Sequence, residues 1–329
     1  SRNGQLHLDK NGYIVNDQAL KLTGYAAQSG IIVPSTPAAI QISASDLPPI
    51  ETGTSTSAGF TGVKANLQLD SRVSVPTVTP WVGATGPLYT PDPQSYSYST
   101  ALSVYDSLGN PHALTMYFVK TATPGQWQTH FNVDGTSDAY VTPQGTNMTF
   151  DSAGKLTSTP VALSINLASV NAALSLPSNA SSPMAFNVDF TGTTQFGSAF
   201  GTNRLEQDGY AAGHLVGLSV GSDGVIQGRY SNGQTFAQGQ IVMANFTNPN
   251  GLQSLGNNQW TETSVSGPAL IGAPNTSNLG ILSSSTVEES NVDLTAELVN
   301  LITEQRNYQA NAQSIKTQDQ VLQTLVNLR

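Results

Sequence analysis

The chain has 329 residues, a net charge of −9, 10 % charged and 7 % aromatic residues, and no cysteine. Its 12 lysines and arginines are scattered, which excludes a phosphate-neutralising nucleic-acid surface and a polybasic membrane face. Low charge combined with aromatics points to folded β-units with polar, uncharged surfaces rather than to disorder, and no disulfide framework is available. The length suits two or three domains. The opening residues lack a basic-then-apolar leader, and no apolar run approaches the length of a membrane span.

In chain order, "NGQLHLDKNGYIVND" alternates Leu6 and Leu8 with Tyr13 and Val15 around Lys10-Asn11-Gly12, the pattern of a hairpin. Residues 34–62 are rich in Pro, Ser, Thr and Gly and read as a linker or loosely structured crossing. "STALSVYDSLGNPHALTMYFVK" predicts a second hairpin turning at Asp106–Pro111, and "QWQTHFNVDG" and "PMAFNVDFTG" predict further strands. "VALSINLASVNAALSLP" fits either a strand or a short helix. Residues 206–280 predict a meander, with turns at Ser222-Asp223-Gly224 and Asn232-Gly233.

After Pro274 and Gly280 the chain contains no further Pro or Gly. From Asp293, a plausible N-cap, a four-then-three spacing selects Leu294, Leu298, Leu301, Gln305, Tyr308, Ala312, Ile315, Asp319, Leu322 and Val326. All are apolar except Gln305 and Asp319, and Ile302 and Leu325 widen the stripe. The spacing predicts one coiled-coil-like helix roughly 54 Å long. Such a helix needs its stripe covered, and the chain offers no second helix of similar length. The partner is therefore expected on another molecule or on a segment not present here. Gln309, Gln313, Gln320, Gln323, Asn307 and Asn327 occupy positions where a soluble helix usually carries Lys and Glu. Two readings stay open for them: a solvated face, or a face lining a channel or subunit contact.

Catalytic patterns are weak. Gly217-Leu218-Ser219-Val220-Gly221 matches a nucleophile elbow, but a strand rather than a helix is expected to follow. His7, His112, His130 and His214 show no metal-ligand spacing. Asn132–Asp138 resembles an acidic calcium loop but lacks its sixth-position Gly and closing Glu, so a tight polar turn is expected. Glu288 and Glu289 are expected to complement the positive end of the helix rather than to form an acid/base pair. Trp81, Trp127 and Trp260 lack a convincing carboxylate pair, which a glycan hydrolase would need. No catalytic residue, cofactor or metal is expected.

Ser290–Leu328 resembles the C-terminal signature of the bacterial flagellar axial proteins. The resemblance rests on the Ser-Asn-Val-Asp-Leu opening, the Gln305-Arg306-Asn307-Tyr308-Gln309-Ala310-Asn311 core and Lys316-Thr317-Gln318-Asp319. Residues 1–25, 104–120 and 207–252 are similar to the hook proteins of that group. The resemblance implies a non-enzymatic subunit that polymerises into a curved flexible tube passing motor torque from rod to filament. It implies self-association and contact with the distal rod protein, the hook cap, the hook–filament junction protein and the flagellar type III export apparatus. Nucleic acid and membrane are not expected partners. Export to the extracellular hook without a cleaved signal peptide is expected, as is a family N-terminal helix segment that the numbered chain lacks. A distal-rod subunit and, in a different class, a secreted glycan-binding β-protein remain the alternatives.

The expected fold class is mainly β with a long C-terminal α-helix. Residues 1–54 with 206–288 form an inner β-domain, 55–205 an outer inserted β-domain, and 289–329 the terminal helix. The expected polymer seam is Leu294, Leu298, Leu301, Ile302, Tyr308, Ala312, Ile315, Leu322 and Val326. Gln309, Gln313, Gln320 and Gln323 are the channel-facing candidates.

Overall fold

Strand Val63–Asp70 places Val63, Ala65, Leu67 and Leu69 on one face, and all four are fully buried. This period-2 pattern makes it the centre of a six-stranded mixed sheet. Met184–Asp189 and Thr194–Phe196 run parallel to it along one edge, and Gly201–Gln207 pairs antiparallel along the other. The ladder breaks between the two parallel strands, and buried Thr193 fills the gap. Its Oγ1 accepts from the Leu67 N–H at 3.2 Å and donates to the Ala65 carbonyl at 3.3 Å. The computed structural model describes the chain except residues 2, 29, 44, 56–58, 86–89, 159, 277, 288–289 and 328–329.

A four-stranded antiparallel sheet shares the same core. It comprises Tyr98–Tyr105, Pro111–Lys120, Gln126–Val133 and Thr146–Thr149. Leu114, Met116, Phe118, Trp127 and Phe131 from this sheet join Val63, Leu67 and Leu69 in one hydrophobic cluster. The two sheets thus form a packed pair that holds most of the buried apolar side chains among the described residues. The segment that fitted either strand or helix is both: strand Val161–Ile165, then α1 (Leu167–Ala173), with the Asn166 side chain accepting from the Ser169 N–H. Asn166 caps the free N–H groups that a helix start leaves.

The predicted meander is present as Leu215–Val220, Val225–Tyr230 and Thr235–Ile241. It continues antiparallel into Thr23–Gln28, which also pairs with Ile31–Ile32 and Ala38–Ala39. The first hairpin pairs His7–Leu8 with Ile14–Val15, with Gly12 in the left-handed region. This sheet's buried apolar cluster is small: Ile40, Ile42 and Ile226. Beyond it, Met243–Asn245 with Leu270–Gly272, and Gln253–Gly256 with Gln259–Thr261, form two-stranded ribbons. They leave Leu255, Trp260, Leu270 and Ile271 exposed.

The described residues of 34–55 are not a loose linker. Ala38 and Ala39 pair in the meander sheet, Ile40 and Ile42 sit in its core, and Thr52 and Ser55 are buried. Leu47 exchanges backbone hydrogen bonds with Gly213, and Ile50 with Tyr210. Composition suggested a flexible crossing, but partners outside the segment, from Gly12 and Leu22 to Tyr105, Tyr210 and Gly213, satisfy many of its backbone groups.

Candidate functional site

Asp293 starts α2 (Leu294–Val326) as the sequence predicts, its carboxylate accepting from the N–H groups of Thr295 at 2.8 Å and Ala296 at 3.3 Å. Good helix formers without Gly or Pro then carry the helix for 33 residues, about 50 Å. Thr303, Thr317 and Thr324 return their hydroxyls to the carbonyls of Val299, Gln313 and Gln320, so these polar groups are satisfied within the helix.

Every described residue from 291 to 327 is exposed. Leu294 is 72 % exposed, Leu298 52 % and Tyr308 77 %. Leu301, Ile302, Ile315, Leu322 and Val326 are also exposed large apolar side chains, and Ala312 is exposed beside them. A helix of this length with a bare stripe cannot draw stability from packing within its own chain. Helical geometry places Gln309, Gln313 and Gln320 about 80–120° around the axis from Leu301, beside Ile302 at the edge of the stripe, whereas Gln323, about 40° away, lies within the stripe between Leu301 and Leu298. The heptad template, keyed to large apolar residues, passes over a second face. There Ala296, Val299, Thr303, Ala310, Ser314, Thr317 and Val321 align at three- and four-residue spacing.

The chemistry candidates lie apart. Ser219 is on strand Leu215–Val220, and the next element is strand Val225–Tyr230, so no nucleophile elbow forms. Asn132–Asp138 is a tight turn: Asn132 Nδ2 donates to the Thr136 carbonyl and to Asp138 Oδ1. Trp127 is buried in the sheet-pair core, Trp81 stacks on His130 at 4.4 Å, and Trp260 lies on an exposed ribbon, so the three line no common groove. His7 is exposed, whereas His112 and His130 are buried. Burial pushes His130 down to about 4, partly offset by Gln144. Among the described residues, no group of three or more His, Asp and Glu could hold a metal ion, and no helix is long and apolar enough to cross a membrane. Glu288 and Glu289 lie outside the described residues.

Comparison with known proteins decides the family. Residues 66–210 match the Flagellar basal body protein FlaE D2 domain, and residues 283–328 match the Flagellar basal body rod FlgEFG protein C-terminal family. The flagellar hook protein FlgE of Escherichia coli strain K12 is 40 % identical over 334 residues, covering 100 % of this chain and 77 % of that protein. The chain belongs to the flagellar hook protein family. The flagellar hook protein FlgE of Salmonella typhimurium strain LT2 is also 40 % identical, over 335 residues, with the same coverage. A crystal structure of Helicobacter pylori flagellar hook protein FlgE2 superposes with a TM-score of 0.54 over 82 % of this chain and 87 % of that one. At 13 % identity, that match establishes a shared fold. The hook family is structural, not enzymatic. Among the described residues, α2 is the longest element left uncovered by the rest of the chain.

Proposed function

We propose that this hook subunit polymerises through α2 into a curved, flexible tube that carries motor torque from rod to filament. The observation that carries this is a 33-residue helix whose apolar stripe is wholly uncovered in the isolated subunit. Leu294, Leu298, Leu301, Ile302, Tyr308, Ala312, Ile315, Leu322 and Val326 form the helix seam between subunits. Gln309, Gln313 and Gln320 face the channel, where uncharged amides avoid the cost of closely packed like charges, while Gln323, expected there too, falls within the stripe. Residues 1–54 with 206–288 act as the inner β-domain and 55–205 as the outer inserted one, which the separate hydrophobic clusters of the two sheet systems support. The low surface charge suits wet, polar contacts that slide as the tube bends.

The partners that follow are further copies of the chain, the distal rod protein, the hook cap and the hook–filament junction protein. The subunit reaches the extracellular hook through the flagellar type III export apparatus without a cleaved signal peptide. Deleting residues 290–329 is the test. The remaining β-structure should stay folded and soluble while tube formation and motility are lost. Hooks of normal length built from the truncated protein would refute the assignment.

A further inference from the structure

The buried ion cluster of the sheet pair lies where the chain passes between the two sheet systems. Two crossings, residues 47–50 and 210–213, pair antiparallel there. One side of this neck is fastened to the meander: Asn232 Nδ2 donates to the Ala211 carbonyl at 2.7 Å. The other side is fastened to the hairpin turn 106–110. The Thr52 N–H donates to the Tyr105 carbonyl, and the Tyr105 N–H donates to Thr52 Oγ1, both at 2.9 Å. Gly109 seats against the neck so closely that a Cβ there would meet Pro49 Cβ at 2.6 Å and Ala211 Cα at 3.2 Å. This turn is therefore one of the contacts that seat the sheet pair on the neck, beside the Gly53 N–H to Asp208 Oδ1 bond and the pairing of Gln207 with Val63.

Asp106 holds the turn and is fully buried. Its Oδ1 accepts from the N–H groups of Leu108 and Asn110 at 2.9 and 2.8 Å, and its Oδ2 accepts from Asn110 Nδ2 at 2.9 Å. His112 Nε2 lies 3.5 Å from the same Oδ2. The other ring nitrogen, Nδ1, is 2.6 Å from Asp134 Oδ2. Asp134 sits in the left-handed region of the next turn, and its Oδ1 accepts from the Ala113 N–H at 2.7 Å. One imidazole, itself only 4 % exposed, thus stands between carboxylates on two successive turns: Nδ1 is hydrogen-bonded to Asp134, while the buried Nε2 makes no hydrogen bond and lies within ion-pair distance of Asp106.

We infer that Asp106, His112 and Asp134 form a proton-dependent brace that fixes the attitude of the sheet pair relative to the meander sheet. A doubly protonated ring presents an N–H to each carboxylate, whereas a neutral ring has one N–H and turns a lone pair toward the other. Asp106 and Asp134 are the charged groups acting on His112, and Glu51 adds a further carboxylate near Asp106. The Asp134 contact raises His112 above its ordinary 6.5 despite burial. Burial alone would raise Asp106, but hydrogen bonds from Asn110 and Leu108 and the nearby His112 hold it below its ordinary value. Proton access is provided by a cavity of about 450 Å³ lined by Asn110, His112, Asp134, Asn171 and Ser178. On the α1 side the ring therefore faces uncharged groups. His112 gains its proton in the fold, so the brace is intact below its ordinary value and is lost as pH rises through the raised one. The consequence for tube curvature rests on the assembly proposed above; the brace itself does not.

The chain has no cysteine, so Ala101→Cys and Ser222→Cys, at exposed sites on the two sheet systems, place a clean spin-label pair on the full-length protein. The expected result is one narrow inter-label distance below the His112 midpoint and a broadened or displaced distribution above it. In His112→Gln the distribution should be broad at every pH. Asp134→Asn keeps the imidazole, and the His112 midpoint followed by NMR should fall toward 6.5, with the distance transition moving with it. A distance distribution unchanged across the His112 titration would overturn the proposal. So would a His112 midpoint that Asp134→Asn leaves in place. Neither outcome bears on α2, whose role is read separately from tube formation.

Discussion

Leu298→Asp separates the stability of the subunit from the stability of the polymer. In the subunit Leu298 is 52 % exposed on a helix with no buried residue, so the substitution removes no packed contact. Subunit stability should move by no more than about 0.5 kcal/mol, the usual range for a surface change. In the seam, the covered half of a leucine contributes about 1 kcal/mol, and enclosing a carboxylate there costs at least about 2 kcal/mol more. A combined loss of about 3 kcal/mol per subunit raises the critical concentration for assembly roughly 100-fold. Thermal unfolding by circular dichroism measures the first quantity, and sedimentation of tubes across a concentration series measures the second. Ile315→Asp, 64 % exposed in the subunit, should behave the same way. Assembly at an unchanged critical concentration in both variants would refute the seam, and a large fall in subunit stability would refute the unpacked helix.

His130 carries an acid sensitivity of its own. Burial holds it near 4 against 6.5, so the unfolded chain binds its proton first and stability falls as pH drops from about 6.5 toward 4, by about 3 kcal/mol in all. Urea titrations at several pH values should show a shallower acid loss in His130→Phe than in the parent protein, and identical slopes would contradict the burial. Lys120 Nζ donates to the Ser71 and Val73 carbonyls at 2.5 and 2.7 Å. Lys120→Met should therefore cost about 1–3 kcal/mol in chemical denaturation and speed amide exchange around residues 71–73. Asp293→Ala removes both side-chain caps of α2. It should weaken the first turn by about 1 kcal/mol, visible as faster amide exchange at Thr295 and Ala296 with the β-sheet core unchanged.

Local signals were legible wherever neighbours in sequence are neighbours in space. The Lys10-Asn11-Gly12 and Asp106–Pro111 hairpins, the meander turns and the Asp293 cap each need only a few consecutive residues, and each formed as predicted. The bare stripe on α2 was legible for a related reason, because a period in the sequence describes the face a helix will show. The second face, with Ala296, Val299, Thr303, Ala310, Ser314, Thr317 and Val321, was passed over because the template follows a single register and that face lies on the opposite side of the helix.

The amino-acid sequence by itself determined the β-character of the body, the long capped terminal helix, the kinship with flagellar axial proteins through residues 290–328 and, through residues 1–25, 104–120 and 207–252, the kinship with hook proteins. Tertiary structure alone decided that the described residues of 34–55 are anchored rather than loose, because their hydrogen-bond partners at 210–213 lie far along the chain and composition carries no information about them. It also decided that His112, read in sequence as an isolated histidine, stands between Asp106 and Asp134. Asp106 lies on the same hairpin as His112, but Asp134, 22 residues further along, reaches the imidazole only when strands Pro111–Lys120 and Gln126–Val133 pair. Strand pairing is a long-range choice made by burying a shared core, so the ion cluster it creates has no local pattern to read.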